Sequence, residues 1–111
     1  MSYEYEKYLC SPENVKETVL KYGAAIVPSV LNESEIKDMQ NGMWSYLEHT
    51  TQNFQRPIDR NDSKTWVEYL KLYPKHSMLL QQYQVGHSQF VWDIRQNPKV
   101  VNIFSQIWSV K

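Results

Sequence analysis

Charge of either sign is balanced in this chain: 12 Lys and Arg stand against 12 Asp and Glu, so the formal net charge is zero. No basic field is present to gather phosphates, which argues against a nucleic-acid partner. A near-neutral chain is prone to self-association, so a homo-oligomer is compatible with the composition. Cysteine is almost absent. Cys10 stands alone, an intrachain disulfide framework is impossible, and a reducing, cytoplasmic setting is expected. Glycine occurs three times, at Gly23, Gly42 and Gly86, too sparsely to build a phosphate-cradling loop. Apolar runs are only a few residues long, far short of a membrane span. The opening Met1-Ser2-Tyr3-Glu4-Tyr5-Glu6-Lys7 has neither the positive nor the apolar region of a secretory leader. Without such a route, the glycosylation patterns at Asn32-Glu33-Ser34 and Asn61-Asp62-Ser63 read as coincidence.

Aromatic residues are what the chain has in plenty. Four Trp, eight Tyr and three Phe in 111 residues can bury a large area with few side chains, so a folded chain is expected rather than a disordered one. The length suits one small domain or the N-terminal part of a larger one.

The pattern along the chain is mainly helical. Ser11 as N-cap, Pro12 at the first position and Glu13 open a first helix, Val15, Val19 and Tyr22 give it one apolar stripe, and Gly23 closes it. Ala24-Ala25-Ile26-Val27 reads as a short strand closed by Pro28. Asn32 and Glu35 form a capping-box pattern, with Leu31 and Ile36 as a hydrophobic staple. The helix they open is expected over about 33–49, with Ile36, Met39, Met43 and Leu47 inward and Trp44 and Tyr46 widening that face. The polar stretch 50–63 is a loop, long for a compact domain. Further helices are expected over 64–73 (capped by Ser63 and ended by Pro74), over about 78–83 (stopped near Gly86), over 89–95, and from Pro98 behind an Asn97 cap. The last carries Val100, Val101, Phe104, Ile107 and Trp108. The chain reaches Lys111 with no strand after that helix, and more polypeptide is expected beyond it.

Motifs that carry chemistry are few. His49, His76 and His87 lack a His-x-Asp, His-x-Glu or His-x-x-x-His context, and read as ordinary solvated or satisfied side chains. Asp59-Arg60-Asn61-Asp62 has a calcium-loop flavour but lacks the Gly and the distal Glu of that motif. Cys10 near a helix start has no His close in sequence to act as its base. Trp92 and Arg95, three apart on a helix, read as a packing Trp with a charged rim, against the alternative of a stacked or carboxylate-holding Arg.

The order helix, Gly23, strand, Pro28, Val30-Leu31 and capped helix resembles the opening of the phytanoyl-CoA dioxygenase-like family. The run Trp92-Asp93-Ile94-Arg95-Gln96-Asn97-Pro98, with Phe104 and Trp108 after it, is similar to the helical segment that precedes the catalytic barrel there. The resemblance spans about residue 22 to the end. It implies a mainly α chain with a short β-strand, the helical support layer of a double-stranded β-helix (cupin-like) oxygenase whose barrel is absent here. It also implies Fe(II) and 2-oxoglutarate dependence for a full-length member. In such enzymes two His and one carboxylate hold the iron and leave positions open for cosubstrate and dioxygen. The family's His-x-Asp, distant His and late Arg have no counterpart at matching positions. No catalytic, cofactor-binding or metal-binding residue is therefore assigned, and the chain alone is expected to be inert. The polar loop 50–63 would border the substrate entrance of the whole enzyme. A missing C-terminal barrel, or a partner chain supplying one, is the implied partner. The competing reading is a small helical interaction module presenting Trp44, Trp66, Trp92 and Trp108. Exposure of Phe104, Ile107 and Trp108 would point to a missing domain or partner, and their burial to a self-sufficient bundle.

Overall fold

The computed structural model describes residues 4–73 and 79–110. It is mainly helical. Helix α1 spans Val15–Tyr22, α2 Glu33–Thr50, α3 Gln89–Arg95 and α4 Pro98–Trp108, with short 3₁₀ turns before α1 and before α3 and a longer 3₁₀ helix over Ser63–Leu72. The chain divides into two compact units: Met1–Asn32 with Arg95–Lys111, and Glu33–Ile94.

In the first unit the residues around Pro12 wind as a 3₁₀ turn, Pro12–Asn14, before α1 begins at Val15. Ser11 precedes that turn, and its hydroxyl accepts from the Asn14 side-chain amide at 3.1 Å instead of capping a backbone N–H. Gly23 ends α1 in the left-handed region at φ +77°, and its N–H donates to the Val19 carbonyl.

The expected strand over 24–27 shrinks to one parallel bridge between Ile26 and Leu9. The Ile26 N–H donates to the Tyr8 carbonyl at 2.7 Å, and the Cys10 N–H donates to the Ile26 carbonyl at 3.0 Å. The partner segment allows no more, because Leu9 lies between a 3₁₀ turn at Glu6–Tyr8 and the turn at Pro12. Asn97 caps α4 by accepting from the Lys99 N–H at 2.9 Å, with Pro98 at the first position as expected. Helix α4 packs on α1 and on the Pro12–Asn14 turn, and the Lys16 ammonium donates to the Ser109 hydroxyl.

The second unit holds the larger interior. Leu47 of α2, Ile58 of the polar stretch and Leu72 of the 3₁₀ helix form its centre, with Trp44, Tyr46, Phe54, Tyr69 and Leu80 packed around them. Ile36 and Met43, expected inward, are more than a third exposed. The segment expected as an α-helix over 64–73 is 3₁₀, and Asp62 rather than Ser63 caps it, accepting from the Lys64 N–H. The winding follows a period of three. Thr65 and Glu68, and on the neighbouring face Tyr69 and Leu72, turn inward, while Val67 and Leu70 on the third face are exposed. An α-helical period would have drawn Leu70 inward. Pro74, expected to end this helix, lies outside the described residues.

The helix expected over 78–83 is not formed across its described part, 79–83. Tyr83 and Gln84 both take left-handed backbone at φ 56°, which breaks a right-handed helix, and a short 3₁₀ turn over Val85–His87 follows. The Tyr46 hydroxyl holds that break by donating to the Tyr83 carbonyl at 2.8 Å.

Candidate functional site

The polar stretch 50–63 is built into the second unit by its own side chains. Thr51 is fully buried; its hydroxyl donates to the Leu47 carbonyl at 2.8 Å and accepts from the Ile58 N–H at 2.9 Å. This pair seats Ile58 in the core. Arg60 closes on Glu48 through Nε and Nη2, at 3.0 and 2.8 Å to its two carboxylate oxygens. Those charge-assisted bonds hold the Glu48 carboxyl below its ordinary range. Glu68, inside the 3₁₀ helix, is paired with the Lys71 ammonium and receives Arg56 Nη2 at 2.8 Å. The Lys71 bond, with Arg56 adding to it against burial, keeps the Glu68 carboxyl depressed too.

The calcium-like run is likewise spent on the backbone. Asp59 accepts from the Asn61 N–H at 2.8 Å, and Asp62 from the Lys64 N–H at 3.1 Å. These are turn and cap bonds of the kind short acidic side chains make. Among the described residues no three His, Cys, Asp or Glu side chains gather into a metal-holding group. His49 and His87 are exposed, the His87 ring lying 6.2 Å from that of Trp92, and His76 lies outside the described residues. Cys10 is half-buried beside the Ile26 bridge. Arg95 closes α3.

Two features of the surface remain. The first is a cleft of about 610 Å³ within the second unit, between α2, the 3₁₀ helix and the segment leading to α3. Trp44 and Trp66 form one wall, their rings 5.1 Å apart and tilted by 39°. Tyr46 and Phe90, 6.0 Å apart, form another. Gly42 makes the approach of Phe90 to α2 possible, because a Cβ at that position would lie 2.5 Å from the Phe90 Cβ. Sequence reasoning placed Trp44 and Tyr46 on an inner face, yet Ile58 went unnoticed as a lone apolar residue in a polar run. The Thr51 side chain that seats it has no periodic signature.

The second feature is α4. Its apolar residues fall in two adjacent stripes. Val100, Ile103 and Ile107 are half-buried, whereas Val101, Phe104 and Trp108 are 47%, 57% and 70% exposed. Spacings of three and four put each set on one line along the helix. Among the described residues no helix is long and apolar enough to cross a membrane.

No family model, curated protein or solved structure matches this chain.

Proposed function

We propose that this chain is the N-terminal helical part of an Fe(II)- and 2-oxoglutarate-dependent oxygenase of the phytanoyl-CoA dioxygenase-like type. Its role is to support a catalytic barrel, and it is inert by itself. The observation that carries this reading is the outer stripe of α4. Val101, Phe104 and Trp108 stand in line and uncovered, as expected of a helix with one face on its own unit and the other meant for a sheet. In this reading iron, cosubstrate and the proton and electron traffic of hydroxylation belong to the barrel.

A second reading, a small interaction module without enzymatic activity, is favoured by the exposure of Trp66 and Trp108, since Trp is enriched where partners bind tightly. Anaerobic titration with iron(II) and 2-oxoglutarate separates the two. The 111-residue chain gives no metal-to-cosubstrate charge-transfer band, and a polypeptide extended through the codons after Lys111 gives one. A band from the short chain alone, or none from the extended one, overturns the oxygenase reading.

A further inference from the structure

We propose that the cleft in the unit Glu33–Ile94 is a binding site for a neutral aromatic small molecule. Its volume of about 610 Å³ falls within the range that takes a ligand of drug size. Among the described residues no Asp, Glu, Lys, Arg or His lies on its lining, and an apolar wall offers a charged ligand no partner for its charge. Two of the lining groups are phenols that stay neutral. Burial, then Tyr73 and Tyr46, pushes Tyr69 up to about 12, and burial raises Tyr46.

The walls argue for a ring rather than an alkyl chain. Helix α2 gives one ring to each pair, Trp44 beside Trp66 of the 3₁₀ helix and Tyr46 beside Phe90 of α3, and aromatic faces and edges reward another π-system beyond the area it buries. Polar groups of the walls are already committed: the Trp66 indole N–H donates to the Asp59 carbonyl at 3.1 Å and the Tyr46 hydroxyl to the Tyr83 carbonyl. Gln81 lines the cleft and is exposed, and its side chain carries an amide able to hydrogen-bond a hydroxyl or carbonyl on the ligand. Trp66 and Leu79, both largely exposed, mark the mouth. The site does not depend on the oxygenase reading, because every lining residue lies in this one unit.

The test uses the full chain and N-phenyl-1-naphthylamine, a neutral aromatic dye. Saturable binding of one dye per chain is expected, with 2-naphthol displacing it at lower concentration than decanol does. Val85→Trp, which fills the cleft, and Trp66→Ala, which removes half of one wall, each weaken binding by about tenfold or more. Phe104→Ala with Trp108→Ala, on the other apolar surface, leaves it unchanged. Should Val85→Trp lose its far-UV circular dichroism, Trp66→Ala decides alone, since Trp66 is 45% exposed and lies outside the buried centre of Leu47, Ile58 and Leu72. Absence of saturable binding, displacement by decanol in preference to 2-naphthol, or sensitivity to the α4 pair but not to the cleft variants overturns the proposal.

Discussion

The unit Glu33–Ile94 and the unit that carries α1 and α4 solve the same problem to different extents. The former has an apolar centre of Leu47, Ile58 and Leu72, and its buried Thr51, Thr65 and Glu68 all have partners. In the latter, Val15 is the buried hydrophobic residue among those described, while Leu20, Val101, Phe104, Trp108 and Val110 are exposed. Helix α4 has few polar positions yet covers only one of its two apolar stripes. Both units leave large apolar side chains in water, Trp66, Leu70 and Leu79 in the former as well as Phe104 and Trp108 in the latter, so the contrast lies in how far each interior is filled.

The largest effect is expected at the better-filled interior. Leu72→Ala should destabilise the chain by about 2–5 kcal/mol, measured by urea unfolding. A loss below about 1 kcal/mol would mean that the centre at Leu72 is not close-packed. Gly42→Ala forces α2 and Phe90 apart and should cost about 1–3 kcal/mol in the same assay. A neutral or stabilising result would contradict the close approach of Phe90.

The ion pairs of this unit give it a pH dependence. Glu48 and Glu68 have folded values below the ordinary carboxylate range. Their contribution is therefore complete above the unfolded value and lost as pH falls through the depressed folded values. Thermal melts of wild type should fall in acid. Glu68→Gln should lower the melting temperature at neutral pH and flatten that acid limb, so the two proteins converge once the wild-type carboxylate is protonated. Parallel curves at all pH values would remove Glu68 from the account.

Smaller effects sharpen the contrast from the other side. Asn97→Ala should cost about 1 kcal/mol by removing the α4 cap. Phe104→Ala and Trp108→Ala should change unfolding by no more than about 0.5 kcal/mol each, because these side chains are mostly in water. A loss of several kcal/mol at Trp108 would show that its ring is already covered in the free chain.

Much of the helical pattern was legible because it is written in local rules. Asn97 and Pro98 marked α4, Gly23 the end of α1, and the stripe through Leu47 marked α2. What escaped depends on partners far along the chain. Ile26 bridges a single residue because its neighbour segment offers a single free position, which the apolar run at 24–27 does not disclose. The 3₁₀ winding of Ser63–Leu72 is fixed by packing of Thr65, Glu68 and Leu72, and its period differs from an α-helix by too little to distinguish in ten residues. The cleft walls were visible as aromatic residues, but their assembly into one space requires Thr51 to seat Ile58 and Gly42 to admit Phe90. The two stripes of α4 appeared in the sequence as one apolar helix. Which stripe is covered is decided by α1 and the Pro12–Asn14 turn, on which α4 packs.

The reading of this chain as the support for a catalytic barrel is tested most directly by the coding sequence that follows Lys111. The account predicts, within some tens of codons, a His-x-Asp, then a distant His and a late Arg. An immediate stop codon, or a long continuation without that set, would contradict it.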